Sequence, residues 1–321
     1  MTQEIIKKQP YGFLKFKTAL LLIALLGLNS HSIYAQQEAQ YSQYMFNLLN
    51  INPAYAGNRE VHNITILYRN QWAGIDGAPR TGTLSWDHRN ADSNVGYGVQ
   101  IGSDRLGIEA TTFVKGFYSY RIPFKNSALS LGVDAGVLNY RADYTKLSTT
   151  TLSDPLLTDN INRTMPRFGL GALYESEKFY VGFSIPDLLN TKTEYNDNLV
   201  NFIPKPHFYL NGGMLFNIDE SIKLKPSMLI KTVSGAPVQV DFNVNGWYNN
   251  TFGLGLSYRT KDAIVSSFEL QITPSIRLGY AYDFAVNNLK SYNSKGTHEI
   301  MLRFEINGNK NDDNSLSPRY Y

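Results

Sequence analysis

Strict alternation of apolar and polar residues is the feature that most constrains how this chain can fold. In residues 237–248, PVQVDFNVNGWY, the apolar side chains of Val238, Val240, Phe242 and Val244 alternate with polar ones. Successive side chains of a β-strand point to opposite faces, so this pattern predicts a strand with one apolar face. Either the core of a β-sandwich or a lipid bilayer would accept that face.

Similar segments follow one another along almost the whole chain. About fourteen are recognisable, each near the roughly ten residues with which a tilted strand crosses a bilayer. They cover approximately residues 61–72, 81–88, 94–103, 108–121, 127–141, 165–175, 178–185, 206–217, 221–231, 237–247, 250–258, 263–272, 275–285 and 297–306. No helical pattern of useful length interrupts them, which predicts an all-β fold.

The lengths of the connections between strands distinguish a β-sandwich core from a lipid bilayer as the surroundings of the apolar faces. The connections after even-numbered strands are short, whereas the two longest, about 142–164 and 186–205, follow strands five and seven. Outer-membrane barrels have long external loops and tight periplasmic turns, while a β-sandwich requires no such parity. The sequence therefore predicts a transmembrane antiparallel β-barrel of about fourteen strands in the outer membrane, formed by residues 61–306.

The first residues predict export. Four lysines precede the apolar run ALLLIALLGL, and the small-residue stretch SIYA follows it before Gln36. This order is typical of a signal peptide, here residues 1–35, and the apolar run is too short for a spanning helix. We expect residues 36–60 to form a polar N-terminal segment in the periplasm and residues 307–321 to form a polar C-terminal tail. Both termini would then lie in the periplasm.

Charge and cysteine content narrow the classes of function. The net charge of +3 includes four Lys and one Glu in the predicted leader, so the remaining chain is formally neutral. Bulk charge therefore gives no reason to expect nucleic-acid binding. The chain has no Cys, its His residues lack the paired spacing of metal ligands, and no G-x-S-x-G motif is present. We expect no metal, no cofactor and no catalytic residues, and hence no enzyme.

The polar faces of the strands predict the lining of the lumen. Its charges have mixed sign, so we expect ion pairs across a narrow or occupied interior rather than a strongly charge-selective pore. The candidate lumen positions are Asp134, Arg167, Lys223, Lys225, Lys231, Asp241, Asn243, Glu269, Arg277, Asp283, Arg303 and Glu305. Glycines such as Gly171 supply small lumen-facing positions. Trp72, Trp86 and Trp247 are expected in an interfacial aromatic girdle at the strand ends.

Several phrases together resemble one protein family. They are INPAYAG at 51–57, RNQWAGIDGAPRT at 69–81, RFGLGALYESEKFYVGFSIPDLL at 167–189, GYAYDF at 279–284 and HEIMLRF at 298–304. Their order, along nearly all of the chain after the leader, resembles the PorP/SprF family of Bacteroidetes outer-membrane proteins. The resemblance implies a barrel of the type IX secretion system, whose relatives include proteins of gliding motility.

The resemblance also implies particular protein partners for a barrel embedded in outer-membrane lipid. These are a secreted protein or adhesin bearing a C-terminal type IX secretion domain, or components of the periplasmic secretion ring. For the motif residues, structural roles are favoured over direct partner contact; these residues are Asn52, Pro53, Gly57, Gln71, Trp72, Pro79 and Pro186. We expect INPAYAG to form a periplasmic turn with a positive φ at its last glycine, and the long external loops to be better candidates for docking.

Two other classes of function remain open at this point. A passive or solute-selective porin would use the polar lumen itself as its functional surface. An outer-membrane hydrolase would need a catalytic cluster that the sequence does not reveal.

Overall fold

The computed structural model describes residues 39–90, 92–146, 160–188, 205–287 and 295–306. Within these ranges the chain forms one antiparallel sheet of fourteen strands, counting the interrupted eighth strand once. The strands are β1 (His62–Asn70), β2 (Arg80–Arg89), β3 (Val95–Leu106), β4 (Glu109–Pro123), β5 (Ser127–Ala142), β6 (Ile161–Ser176), β7 (Phe179–Ile185), β8 (His207–Met214, resuming at Phe216–Asn217), β9 (Ile222–Val233), β10 (Gln239–Tyr248), β11 (Phe252–Arg259), β12 (Ala263–Thr273), β13 (Ile276–Ala285) and β14 (Thr297–Ile306). The predicted leader and the C-terminal tail lie outside the described residues.

Helical structure in the described residues is limited to four short 3-10 turns. They are Tyr44–Phe46, Leu48–Asn50 and Pro53–Tyr55 before β1, and Tyr144–Lys146 after β5. None of the helices in this part of the chain is long and apolar enough to cross a membrane.

The sheet closes into a barrel between its first and last strands. β1 pairs with β14 from His62 opposite Ile306 to Asn70 opposite His298. The other neighbouring strands are consecutive in the chain and antiparallel, as in a series of hairpins. Closure leaves no strand at an open edge of the sheet, so the backbone groups along the paired parts of the strands are satisfied even in lipid. The predicted outer-membrane barrel is confirmed.

Alternation along the strands separates an apolar outer face from a largely polar inner face. On β5, Leu131, Val133 and Val137 are 48%, 46% and 50% exposed, whereas Asp134 between them is 2% exposed. This agrees with the pattern from which the strands were predicted. A barrel with this outer face suits a hydrocarbon environment.

The two ends of the barrel differ in the length of their connections. Odd-numbered strands end at what we call the long-loop end, where the connections include residues 71–79, 143–160, 186–206 and 286–296. Even-numbered strands end at the short-turn end, where the connections are residues 90–94, 124–126, 177–178, 218–221, 249–251 and 274–275. The predicted alternation of long and short connections is confirmed.

Three neighbouring strands project at the long-loop end. β4, β5 and β6 have 15, 16 and 16 residues. At about 3.3 Å per residue, β5 is roughly 50 Å long, more than a tilted strand needs to cross the hydrocarbon layer. Their ends carry an apolar cluster of Phe113, Leu138, Tyr140, Ala142 and Met165. We call this part of the barrel the β4–β6 ridge.

Placing a charge on the outer face is expected to destabilise the barrel. In synthetic bilayers, Val133→Arg should lower the free energy of unfolding by about 2–4 kcal/mol, because the guanidinium faces hydrocarbon. The folded fraction is measured across a denaturant series from the migration of unheated samples in gel electrophoresis. The control Asn126→Arg, in an exposed turn, should change stability by less than about 0.5 kcal/mol. Equal effects of the two variants would contradict the lipid-facing assignment.

Candidate functional site

The lumen is occupied by the chain's own N-terminal region. Residues 41–58, which we call the lumen segment, run through the barrel in three 3-10 turns before β1 begins. All of them are buried except Tyr41 and Asn50, which are partly exposed. The expectation that residues 36–60 form a polar periplasmic segment is therefore wrong for this part of the chain.

Apolar packing explains why the lumen segment stays inside. It contributes Tyr44, Met45, Phe46, Leu48, Leu49, Ile51, Ala54, Tyr55 and Ala56 to the largest apolar cluster among the described residues. The wall contributes Phe117, Leu173, Tyr180, Tyr209, Leu229, Trp247 and Met301. Complete burial of one large apolar side chain stabilises a protein by about 1.5–3 kcal/mol. The lumen is thus less polar than the strand pattern predicts, because part of its wall packs against this segment.

Ion pairs at the long-loop end hold the start of the lumen segment. Arg69, at the end of β1, lies 2.8 Å from Asp283 and 3.1 Å from Glu299. Glu299 accepts hydrogen bonds from the backbone N–H groups of Ser42 and Gln43, both at 2.8 Å. The Ser42 hydroxyl donates to Asp283 and accepts from Arg69 at 2.8 Å. These groups are all buried, so the charge-assisted bonds replace their hydration.

A second arginine extends this network along the wall. Arg259 pairs with Asp241 at 3.1 Å and with Asp283 at 3.2 Å. Arg259 also donates to the Ser42 hydroxyl at 3.3 Å. Asn243, two residues after Asp241 on β10, donates to the Tyr44 hydroxyl at 2.5 Å. The wall thereby holds the first 3-10 turn of the segment.

Cationic side chains bind carbonyl groups of the segment deeper in the lumen. Arg303 donates to the carbonyl of Phe46, and Lys225 donates to that of Met45 at 3.4 Å. The Lys225 ammonium also lies 5.9 Å from the ring centroid of Tyr180. These contacts give the buried carbonyls of a short 3-10 turn the partners that the turn itself lacks.

Trp247 points into the lumen, so its predicted place in an interfacial girdle is wrong. It is 3% exposed, and its ring packs against Phe46 with 6.3 Å between centroids. The indole N–H donates to Glu269 at 2.6 Å, and Glu269 also pairs with Arg277 at 3.0 Å. A buried indole needs such an acceptor. Trp247 and Asn243 are four residues apart on β10, so both side chains point to the inner face of the barrel. This alternation decides the orientation of Trp247, although the residue lies near the strand end.

The INPAYAG motif lies inside the lumen, not in a periplasmic turn. Asn52 caps the 3-10 turn Pro53–Tyr55: its Oδ1 accepts from the N–H of Ala54 at 2.9 Å. Its Nδ2 donates to the carbonyl of Ala172 on β6 at 3.1 Å. A proline fits the first position of the turn because that position needs no N–H donor. Gly57 has a φ of +68°, which agrees with the positive value expected there.

Wall glycines make room for this motif. A Cβ atom on Gly132 would collide with the backbone of Ala54, and one on Gly171 would collide with Asn52 and Pro53. Small residues at these positions allow two backbones to approach closely. The glycines that the strand pattern predicted as small lumen-facing positions therefore form a surface against which the lumen segment packs. We call this surface the seat of the lumen segment.

Side chains of β2 and β14 hold the end of the lumen segment at the short-turn end. The N–H of Gly57 donates to Asp87 at 2.9 Å, and its carbonyl accepts from Arg89 at 3.1 Å. Arg59, next along the chain, pairs with Glu305 at 2.9 Å. The segment thus spans the lumen from one end to the other.

This crossing separates the two described ends of the chain. Gln40 donates to Gln239, the first residue of β10, at 3.1 Å, so it lies at the long-loop end. Ile306 lies opposite His62 at the short-turn end. Gln40 and Ile306 therefore lie at opposite ends of the barrel, because the chain crosses the lumen once before its first strand. The two termini themselves, which are predicted to share the periplasm, lie outside the described residues.

The predicted lumen positions lie on the inner wall, but they serve the segment and one another rather than an open channel. Those that are buried are Asp134, Lys225, Lys231, Asp241, Asn243, Glu269, Arg277, Asp283 and Arg303; Arg167, Lys223 and Glu305 are partly exposed. Arg167 pairs with Asp187, which follows the buried Pro186 in the phrase SIPDLL. That phrase ends β7, as expected, and it also supplies a charge partner.

The remaining motif residues shape the connection after β1. The N–H of Gln71 donates to the carbonyl of Pro79 at 2.9 Å and closes the loop. Trp72 has a φ of +50°, and its N–H donates to the hydroxyl of Thr297 at 3.0 Å. These contacts are structural, and they tie the first loop to the last strand.

Sequence reasoning missed several residues that hold the lumen segment. Among them are Ser42, Arg69, Asp87, Arg259 and Glu299. The four on the wall have inward parity on β1, β2, β11 and β14, so a stricter application of the alternation would have included them. Ser42 carries no periodic signal, because the lumen segment is neither strand nor long helix.

A family model described as type IX secretion system membrane protein PorP/SprF matches residues 33–304. The chain belongs to this family. The match covers the lumen segment of this PorP/SprF protein as well as nearly all of its barrel. No curated protein matches the chain.

Several solved structures of outer-membrane proteins are similar to this chain at low identity. Omp33 of Acinetobacter baumannii is 12% identical over 78% of this chain and 100% of that chain, with a TM-score of 0.44. The CymD monoaromatic hydrocarbon channel is 12% identical over 83% and 92%, with a TM-score of 0.46. The KdgM porin is 10% identical over 76% and 99%, with a TM-score of 0.40.

Filling the seat of the lumen segment is expected to destabilise the protein. Gly132→Ala places a methyl group against the backbone of Ala54, so the free energy of unfolding should fall by about 1–3 kcal/mol. Denaturant unfolding of the purified protein measures the change. The matched control is Gly116→Ala on the outer face, where the nearest atom to the added Cβ is a carbonyl oxygen 3.9 Å away. A loss no larger than that of the control would contradict this packing.

Proposed function

We propose that this PorP/SprF protein is a non-enzymatic docking component of type IX secretion. It would bind an exported protein at the long-loop end and the periplasmic secretion machinery at the short-turn end. The observation that carries the proposal is the lumen segment, which crosses the barrel from end to end and packs against its wall. A lumen occupied in this way leaves the two ends as the surfaces on which a partner can bind.

The alternation of connection lengths supports this orientation. Long loops of outer-membrane barrels face the cell exterior, and tight turns face the periplasm. A signal peptide, predicted for residues 1–35, would deliver the chain from the periplasmic side. The long-loop end is accordingly proposed to face outward.

The β4–β6 ridge supports docking at that end. Its apolar cluster gives the connection at residues 143–160 a rigid base. Lys115 and Arg167 lie over the ring of Phe113, at 5.5 Å and 5.7 Å from its centroid. Loops on a rigid scaffold are typical binding surfaces. We propose that the partner is a secreted protein or adhesin with a C-terminal type IX secretion domain.

The occupied lumen argues against the porin alternative. A passive or solute-selective porin needs a continuous polar path, whereas here the inward charges bind the segment's backbone and one another. The same engagement argues against the hydrolase alternative, because a catalytic group must reach a substrate.

Conductance measurements distinguish docking from transport. The full-length protein in planar bilayers is expected to show no steady conductance, since the segment blocks the lumen. Gly132→Val, which displaces the segment from its seat, should produce channel openings, whereas Gly116→Val should remain silent. Steady conductance by the wild-type protein would contradict the proposal and favour the porin.

Cross-linking in the native host tests docking directly. A tagged copy is cross-linked mildly, extracted in detergent and analysed by mass spectrometry. We expect a large protein with a C-terminal secretion domain, and components of the periplasmic ring, to co-purify. Replacing residues 147–158 with a short Gly/Ser linker should abolish recovery of the secreted protein but not of the ring. The same linker inserted into the turn at 124–126 is the control.

Recovery of the barrel alone, with intact secretion complexes in the same extract, would contradict docking. If the loop variant recovers the secreted protein at the wild-type level, residues 147–158 are not the docking surface.

A further inference from the structure

β6 is much longer than β7, the strand that follows it. β7 pairs with β6 only between Leu170 and Glu175. Just beyond this ladder, the N–H of Leu188 donates to the carbonyl of Phe168 at 2.7 Å. In the part of the chain that the structure describes, no strand pairs with residues 161–167 of β6 on this side. We call these seven residues the β6 edge.

The opposite side of the β6 edge is fully paired and holds it extended. Its register with β5 is unbroken and begins with Ile161 opposite Ala142. On the outer face, the Asn139 amide of β5 donates to the side chains of Asn162 at 2.8 Å and Thr164 at 3.0 Å. The β6 edge is therefore ordered before any partner binds, which lowers the entropic cost of binding.

The backbone groups that point away from β5 can be assigned from the ladder. In an antiparallel strand, the N–H and carbonyl of one residue point to one side, and those of the next residue point to the other. The carbonyl of Phe168 faces the β7 side, so the backbone groups of Asn162, Thr164 and Pro166 face it as well. Pro166 fits this position because it has no N–H to donate to β5. The open side thus offers three carbonyls and the N–H groups of Asn162 and Thr164.

The β6 edge stands in water and not in lipid. Nearer the membrane, Phe168 and Leu170 cover the outer face of β6 and are 45% and 46% exposed. Towards the long-loop end, the outward positions are Thr164 and Asn162, which are exposed and polar. Unsatisfied backbone groups are tolerated beyond the hydrocarbon layer, but not within it. The edge is consequently accessible to a partner outside the membrane.

The chemistry of this edge suits an extended polypeptide. Donors and acceptors that alternate along a strand are matched by the backbone of another strand, which adds to the sheet by β-augmentation. On the inner face, Met165 belongs to the apolar cluster of the β4–β6 ridge, and Ile161 packs against that cluster. Directly opposite side chains on neighbouring strands lie about 4.5–5.5 Å apart, so apolar side chains of an added strand would contact these two residues.

The position of β7 argues against a second copy of the barrel as this partner. Barrels in one membrane stand the same way up, so a strand of a second barrel beside the β6 edge would continue into the membrane along β6. That place is occupied by β7, which pairs with Leu170 to Glu175. The partner must reach the edge from outside the membrane.

We infer that the β6 edge binds an extended segment of an exported polypeptide by β-augmentation. The inference rests on the proposed function for the class of partner and for the end that faces outward. The pairing of β6 itself does not depend on that function. Backbone hydrogen bonds would supply the attraction, and Ile161 and Met165 would select apolar side chains on the inner face.

A matched pair of substitutions tests the role of the backbone. Thr164→Pro removes an N–H on the open side and places a ring there, whereas Thr164→Val keeps the N–H; both lose the same hydroxyl. In cross-linked co-purification from the native host, Thr164→Pro should lower recovery of the exported protein about tenfold, and Thr164→Val should remain within about twofold of wild type. Recovery of the periplasmic ring should not change. Migration of unheated samples verifies folding, and Asn162→Pro with Asn162→Val replaces the pair if Thr164→Pro does not fold.

The outcomes separate this inference from the proposed function. If the two variants recover the exported protein equally, the inference is overturned and docking elsewhere at the long-loop end stands. If the wild-type protein recovers no exported protein, the proposed function and the inference are both overturned.

Photo-cross-linking in cells identifies what lies against the edge. A photoreactive residue in place of Thr164 is expected to capture the exported polypeptide. The controls are Ser234 at the long-loop end and Asn126 at the short-turn end, both exposed, and Asn126 should not capture it. Capture through Ser234 without capture through Thr164 would overturn the inference but not docking at this end. Capture of residues 189–204 of the same chain, or of a second copy, in place of the exported polypeptide would also overturn it.

Discussion

The structure depends on how the backbone of the lumen segment is satisfied. Irregular backbone buried at membrane depth cannot bond to bulk water, so each of its polar groups needs a partner from the protein. Short 3-10 turns supply only some of these partners. Side chains of the wall supply others: Glu299, Lys225, Arg303, Ser184, Ser119, Asp87 and Arg89 bond to segment N–H or carbonyl groups.

This requirement explains the mixed charges of the lumen. Anionic groups face N–H donors at Ser42, Gln43 and Gly57, while cationic groups face the carbonyls of Met45 and Phe46. The charges of the wall therefore match the polarity of an irregular chain, position by position. A lumen built in this way holds a polypeptide and offers little to a diffusing solute. We therefore propose the two ends of the barrel, which the segment connects, as its functional surfaces.

Most of the barrel could be predicted because its signal is periodic. Each strand repeats an inward and outward alternation, and the last pairs with the first, so Val133 and Asp134 could be assigned to opposite faces from spacing alone. The lumen segment has no such signal. The polar residues around its start, Gln40, Ser42 and Gln43, suggest a solvated tail, and only three-dimensional packing brings them to Gln239, Asp283 and Glu299.

For the same reason, part of the wall that holds the lumen segment could be predicted from the sequence, but the segment itself could not. Asp283, Arg303 and Glu269 could be read from strand parity, but their partner could not, because it has no period of its own. Trp247 illustrates the opposite error. It was predicted to lie in the interfacial girdle because of its place at a strand end, although its position in the alternation is an inward one. The wall glycines were correctly expected to be small positions, yet their purpose became evident only with Ala54 and Asn52 packed against them.

Hydrogen exchange of the full-length protein in detergent tests the central claim, that residues 42–58 lie permanently inside the barrel. Backbone amides of this segment are expected to exchange as slowly as those of neighbouring strands, because they are buried and bonded to the wall. The exposed connection at residues 124–126 provides the fast reference within the same sample. Exchange of residues 42–58 at the rate of that connection would contradict an occupied lumen and reopen the case for a conducting pore.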